Sequence, residues 1–426
     1  MNRAGRFGEL PRTRHIPFWP FRHRFSVGEM KRSMRPRAFR SAILAGVSLL
    51  AVGFTGTSAD AAPDPAPTEQ QLADYIAAGL HGGPIAANSG SACTSGSGAG
   101  SGNGSGDCLG GSGSSSGSSG GYSSDTTGYG PTMTSWVAAF GYGLAHPDAA
   151  PPGVNDWNCK PSAAHPRPVV LVHGTWMNAY NGFAYMGQPI KDAGYCTFTL
   201  NYGRSNLLEG GGLGSLLPGV MGTGYIQDSA KQLSAFVDRV LAATGAPKVD
   251  IVAHSQGGSM ANWYTKYEGG ANKVQTFVTY GATHHGTSLD GIGALGRAIN
   301  NLGIDVLGPI EILVGHAGIQ QTIGSDFVNK LNANGDTVPG IDYTIVGTRY
   351  DEVTNPYELT FLKAGAGAKV DNILLQDGCE QDLSDHLTMM YSPRALSIAL
   401  RALDPGHAVP LQCSFNPPLV GGGGSL

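Results

Sequence analysis

Charge is scarce in this chain: Asp, Glu, Lys and Arg together make up 14% of its 426 residues, and the formal net charge is −4. Binding to nucleic acid through its phosphates needs a clustered excess of Lys and Arg, so no nucleic-acid partner is expected. Long hydrophobic runs are also lacking. The apolar stretch Ala42 to Phe54 is shorter than the ~20 residues that a membrane-spanning helix requires. Cysteines at C-x-x-C spacing are absent, the histidines are scattered, and neither a G-x-G-x-x-G loop after a strand nor a P-loop is present. No metal centre and no cofactor are therefore expected. Asp351, Glu352, Asp382 and Asp385 are the acidic residues from which a calcium site could be drawn.

Glycine is abundant, at 65 residues, and the first part of the chain carries an export signature. Residues 1–40 contain eleven Arg or Lys, the apolar stretch follows, and the small-residue site Ala59-Asp60-Ala61 comes next. That order is a secretory signal over residues 1–61, with Met30 or Met34 as a start that would give it ordinary length. Cleavage would leave an acidic mature chain, unsuited to docking on anionic membranes by charge. All six cysteines follow the signal, and an even number in an exported chain reads as three disulfides. Clustering pairs Cys93 with Cys108, Cys159 with Cys196, and Cys379 with Cys413. The expected location is extracellular, with attachment to the cell envelope as the variant reading.

Residues 62–88 form a short mature N-terminal segment, and then composition changes. From 89 to 125, Ser and Gly supply 27 of 37 residues, too little apolar surface to offset backbone entropy, so a flexible linker is expected. The folded domain is expected over 131–417, with a flexible tail over 418–426. Within the domain, strand-like runs (Pro168–Val172, Cys196–Tyr202, Val249–Ala253, Val274–Tyr280, Tyr343–Gly347, Asn372–Gln376) alternate with helical segments. Between Tyr225 and Ala243, apolar Ile226, Ala230, Leu233, Val237, Val240 and Leu241 recur at three and four, and Gly245 and Pro247 supply the stop. A last helix reads from Pro393 to Leu403. The pattern implies an α/β fold of about six mostly parallel strands with helices on both faces. About 287–340 is too long for an ordinary connection, so a helical insertion precedes the strand at Tyr343. It reads as a lid over the active site or as a helical pair packing on the core, and Leu207 to Gly224 is a second mobile-loop candidate.

The sharpest chemical signal is Val252-Ala253-His254-Ser255-Gln256-Gly257-Gly258, between a strand and a helix-competent segment. A serine hydroxyl is a weak nucleophile at neutral pH and needs an exposed tight turn, a base in reach and backbone N–H groups aimed at the developing oxyanion. Ala253 and Gly257, two residues either side of Ser255, are small enough for that turn, which is the G-x-S-x-G elbow with Ala in first place. His173-Gly174-Thr175-Trp176 follows the first buried strand, so the oxyanion hole is assigned to the backbone N–H groups of Thr175 and Gln256, with His173 buttressing the loop. Acid and base should follow in that order. Asp351, after the strand YTIVG, is the acid, with adjacent Glu352 as its substitute. His386, between the last strand and last helix, is the base. His284 and His285 precede the acid and read as pocket or hydrogen-bonding residues.

At these residues the chain resembles the secreted bacterial class 2 lipases, relatives of the minimal α/β-hydrolase lipases. The resemblance runs from Asn155-Asp156-Trp157-Asn158-Cys159 through PRPVVLVHGTW, GYCTFTLNYG, VAHSQGG, TYGATHHGTS and TRYDEVTNPY to DHLTMMYSP. It implies an α/β-hydrolase fold, a triad of Ser255, Asp351 and His386, and hydrolysis of triacylglycerols or simpler carboxylic esters. The expected partner is a lipid or ester substrate, met in transient contact with lipid interfaces. Ile292, Leu295, Leu302, Leu307, Ile310 and Leu313 could line an acyl trough. The rival enzyme readings are a short-chain carboxylesterase and an acyltransferase. The rival outside enzymes is a surface adhesin tethered by the Ser/Gly arm.

Overall fold

The strands, all parallel, are β1 (Val169–Val172), β2 (Thr197–Thr199), β3 (Val249–His254), β4 (Val274–Tyr280), β5 (Asp342–Gly347) and β6 (Lys369–Leu374), in the order β2-β1-β3-β4-β5-β6. The computed structural model describes residues 124–288 and 310–424. The expected signal, the segment 62–88, the Ser/Gly arm up to residue 123, Cys93, Cys108, and Ile292, Leu295, Leu302 and Leu307 lie outside the described residues. Helices follow in chain order: α1 (Trp136–Ala145), α2 (Ala179–Phe183), α3 (Gly187–Asp192), α4 (Ile226–Thr244), α5 (Gln256–Tyr267), α6 (Ile310–Gln320), α7 (Asp326–Asn332) and α8 (Pro393–Leu403). None of the described helices is long and apolar enough to cross a membrane.

The near-continuous apolar strands β1 and β3 are buried on both faces, as the centre of a parallel sheet covered by helices requires. In β1, Val169 and Leu171 enter one core cluster with α1 and α8, while Val170 and Val172 enter the other with α4 and α5. α4 buries Ile226, Ala230, Leu233, Val237 and Val240, and full burial of each Leu, Ile or Val contributes about 1.5–3 kcal/mol. Leu241 is only partly buried at the stripe's edge. Gly245 ends the helix at φ 77°, its N–H donating to Leu241 O at 2.8 Å, the left-handed cap that glycine adopts most readily. α8 begins at Ser392, whose hydroxyl accepts from the N–H groups of Arg394 and Ala395.

Two of the expected disulfides are formed, Cys159–Cys196 and Cys379–Cys413. Other expectations are corrected. β6 starts at Lys369, earlier than the apolar run Asn372–Gln376 indicated, because it is an edge strand whose outer half (Lys369, Asp371, Asn372) is exposed and polar. Order begins before 131: the N–H of Asn201 donates to Ser124 O at 3.0 Å, and Arg239 pairs with Asp125. At the Gly-rich end, residues 419, 420 and 423 bond to the rest of the chain. The Leu419 N–H donates to Asp385 Oδ2 at 2.8 Å, Gly423 N–H to Asn416 Oδ1 at 2.7 Å, and Val420 O accepts from Trp136 N–H at 2.7 Å.

The described part of the insertion packs on the second loop candidate. α6 is kinked at Gly315 (φ 72°, ψ 173°), where a Cβ would lie 2.7 Å from the carbonyl of Gly211. His316 N–H donates to Gly210 O at 2.9 Å, and the His316 ring stacks on Tyr225 at 4.3 Å between centroids.

Candidate active site

β3 ends on His254, and α5 begins at Gln256, leaving Ser255 alone in the turn at φ 54°, ψ −128°. A non-glycine residue in that region costs about 1–3 kcal/mol and is found where surrounding structure imposes it. The packing that imposes it is visible at the next residues. A Cβ on Gly257 would fall 2.3 Å from His173 O and 2.5 Å from Val172 O, and one on Gly258 would fall 2.5 Å from Ala282 Cβ. Only glycine lets α5 start this close to β1 and the segment after β4.

Two loops at the carboxyl edge of the sheet meet the serine. His386 Nε2 lies 2.9 Å from Ser255 Oγ, and His386 Nδ1 lies 2.9 Å from Asp351 Oδ1. An ionised carboxylate only accepts, so Nδ1 carries the proton and Nε2 presents its lone pair to the serine hydroxyl. Asp351 Oδ1 also accepts the N–H groups of Val353 at 3.0 Å and Thr354 at 2.7 Å, which fixes the carboxylate's direction. Burial works against protonating His386, but Asp351, with Glu352 and Asp385 behind it, outweighs burial and holds its pKa above the usual histidine value. Gly281 (φ 52°) makes room for the pair: a Cβ there would lie 2.9 Å from Asp351 Oδ2 and 3.0 Å from His386 Nδ1. Sequence reasoning passed over Gly281, although a glycine directly after a buried strand signals such a close approach.

Thr175 and Gln256 come together across Gly222, where a Cβ would sit 3.3 Å from Thr175 Cα and 3.2 Å from Gln256 Oε1. Trp176, at φ 59°, turns the chain away and donates its N–H to Met221 O at 2.8 Å. Gly174 abuts the serine, its ideal Cβ position being 2.9 Å from Ser255 Cβ. Gln256, directly after Ser255, stands at a helix N-terminus, where the helix dipole favours negative charge.

The competing residues stand elsewhere. His284 is buried with Nε2 3.3 Å from Thr279 Oγ1, and His285 spans Leu359 O and Asp336. His173 bonds Gly174 O through Nδ1 and stacks on Tyr202 at 4.1 Å, with burial lowering its pKa to about 4. Glu352 does not take the acid's place, and its Oε2 instead accepts the backbone N–H of His386 at 3.1 Å. Of the carboxylates considered for calcium, Asp382 accepts from the Ser384 N–H and from the hydroxyls of Ser384 and Ser392. Asp385 Oδ1 accepts from Leu387 N–H, Thr388 N–H and the Thr388 hydroxyl.

The family model described as Lipase (class 2) matches residues 166–364, a span that takes in Thr175, Ser255, Gln256 and Asp351 and stops short of His386. Among solved structures, the chain is similar to lipase B of Aspergillus fumigatus, with 19% identity, a TM-score of 0.46, and coverage of 63% of this chain and 58% of that one. It is similar to the mature form of the Bacillus licheniformis lipase BlEst2, with 16% identity, a TM-score of 0.35, and coverage of 54% and 89%. Phospholipase PlaB of Legionella pneumophila is a third, with 13% identity, a TM-score of 0.32, and coverage of 43% and 39%. The chain thus spans little more than half the length of the Aspergillus lipase.

Proposed function

Residues 166–364 belong to the class 2 lipase family, and on that premise we propose that the chain is a secreted, serine-dependent carboxylic ester hydrolase acting on acylglycerols or other long-chain esters. The observation that carries the reading is the line from Asp351 Oδ1 through the His386 ring to Ser255 Oγ, with both gaps 2.9 Å. Ser255 Oγ attacks the ester carbonyl carbon while His386 Nε2 takes the hydroxyl proton. The tetrahedral oxyanion is met by the N–H groups of Thr175 and Gln256, and Asp351 stabilises the imidazolium. Collapse of the intermediate breaks the bond to the alcohol, which leaves with the proton from Nε2, and an acyl-Ser255 remains. Water then attacks that acyl group, giving its proton to His386, and the serine is regenerated as the carboxylic acid departs.

Export is supported by the signal-like leader and by the two disulfides. Long-chain esters are supported by the family, and by the exposed apolar side chains of Leu208 (87% exposed) and Ile323 (55% exposed), the latter two residues beyond Gln321, which bonds Thr175. The test is a fluorophosphonate label combined with p-nitrophenyl esters of rising chain length. Ser255 should be the labelled residue, Ser255→Ala should lose both labelling and hydrolysis, and rates should rise toward long acyl chains. Labelling that persists in Ser255→Ala sinks the mechanism. Activity restricted to the shortest chains sinks the lipid substrate.

A further inference from the structure

The ring of His386 is only part of what holds it. Its backbone carbonyl accepts from His254 Nε2 at 2.8 Å, and its backbone N–H donates to Glu352 Oε2 at 3.1 Å. His254 is the chain neighbour of Ser255, and Glu352 is the chain neighbour of Asp351. Each partner of the imidazole is thus followed or preceded by a side chain that grips the same residue by its main chain.

His254 is fully buried, and its ring lies 4.8 Å from that of His386. A carbonyl oxygen can only accept, so His254 Nε2 must carry the proton. Its Nδ1 has no partner among the described residues and lies 3.0 Å from where a Cβ on Gly174 would stand. Burial first, and then the neighbouring His386, keep its pKa well below the ordinary value, so the ring stays neutral with one donor. Glu352 is half-buried, and burial above all raises its pKa.

We propose that His254 and Glu352 are positioning residues that clamp the peptide of His386 from its two ends, an inference that rests on reading Ser255, His386 and Asp351 as nucleophile, base and acid. The physical need is specific to a base that changes partner. During turnover Nε2 faces first the serine hydroxyl, then the leaving oxygen, then water, so the ring bond to Ser255 cannot hold the ring throughout. Bonds to the backbone persist through every step. A misplacement of about 1 Å can cost ~100-fold in rate, so anchors that do not turn over keep the base aligned.

The charged and titratable groups around this clamp are Asp351, Glu352 and Asp385 facing His386, and His173 behind His254. The test compares wild type with His254→Phe, His254→Gln, Glu352→Ala and Glu352→Gln, by kcat, KM, the pH profile of kcat/KM and melting temperature. His254→Phe keeps a ring without a donor, and Glu352→Ala removes the acceptor. Each should lower kcat roughly ten- to a hundredfold with KM within about twofold. The two Gln variants return a donor or an acceptor and should recover most of that loss. Glu352→Gln should also move the acid limb of kcat/KM to lower pH, because one carboxylate favouring protonated His386 is gone. Unchanged kcat in His254→Phe and Glu352→Ala overturns the proposal. So does equal loss in each Gln variant and its partner with an unmoved acid limb, which marks a purely structural role. Should His254→Phe not fold, the near-isosteric Glu352→Gln decides by its acid limb. Ser255→Ala separates the two levels: hydrolysis that survives it refutes the underlying mechanism, whereas full dependence on Ser255 with an indifferent clamp refutes this inference alone.

Discussion

The side-chain amide of Gln321 donates to the Thr175 hydroxyl at 2.9 Å, tying the chain just beyond α6 to the residue whose N–H is assigned to the oxyanion. Gln321 Oε1 in turn accepts from Thr283 Oγ1 at 3.0 Å, and Thr283 bonds Ser259 at 2.6 Å. The tie therefore continues into the helix that follows Ser255. Gln321→Ala leaves buried hydroxyls short of partners, at about 1–3 kcal/mol of stability, and should lower kcat about tenfold by freeing the Thr175 loop. Melting temperature and kcat measured together check this. A lower melting temperature with unchanged kcat would show that the tie serves the fold alone.

Gly281 and Gly245 make a matched pair of substitutions. Both have positive φ, 52° and 77°, but a Cβ on Gly281 meets Asp351 and His386, whereas one on Gly245 meets nothing within 4 Å. Gly245→Ala should cost about 1 kcal/mol of stability and leave kcat alone. Gly281→Ala should cost at least as much stability and drop kcat by about 100-fold or more. Comparable kcat in the two variants would mean that the space beside the Asp351–His386 pair is not critical.

The pH dependence follows from His386. The ring must be neutral to accept the serine proton, and its pKa lies above 6.5, so kcat/KM should fall as pH drops through a midpoint above that value. Stability runs the other way. A histidine whose folded pKa is raised contributes stability that is fully present below the unfolded value and disappears as pH rises through the folded one. The melting-temperature difference between wild type and His386→Ala should accordingly shrink between weakly acid and alkaline pH. A kcat/KM midpoint below 6.5 would contradict the assignment.

Much of this site was legible because its chemistry is local in sequence. Ser255 sits in a five-residue turn after an apolar strand, and Asp351 and His386 follow strand ends, so pattern and chain order singled out three candidates whose side chains lie within hydrogen-bond distance of one another. What escaped was set by distance. Gly281 matters only because Asp351 and His386 pack against it, and the bond between Gln321 and Thr175 joins segments 146 residues apart. β6 was misplaced since an edge strand needs apolar residues only at its inner end. The ties of the Gly-rich end escaped because glycine content speaks for backbone freedom and is silent about the hydrogen bonds that Leu419, Val420 and Gly423 find.

Removing the Cys379–Cys413 disulfide, which closes a 34-residue separation, should destabilise by about 2–4 kcal/mol. The loop it closes contains His386, and the strand of chain after Cys413 supplies Asn416, whose O accepts from Leu383 N–H at 3.0 Å, and Leu419, whose N–H reaches Asp385. Cys379→Ser with Cys413→Ser should therefore lose kcat at temperatures where α4 is still folded. Following kcat and far-UV dichroism through the same thermal ramp tests this. Coincident loss of both signals would mean that the bridge supports the whole domain and not the His386 loop in particular.

The bond between Trp136 N–H and Val420 O joins the first described helix to the last described segment, and that closure has a temporal meaning. Sheet and elbow can form as their own residues emerge from the ribosome, but the loop bearing His386 gains its last ties only once residues beyond 419 are free to fold back. Contacts of such sequence separation form late, because a long loop must close before they return any free energy. A chain clipped before Leu419 would thus keep its serine turn while the loop bearing its base loses the Leu419 bond to Asp385.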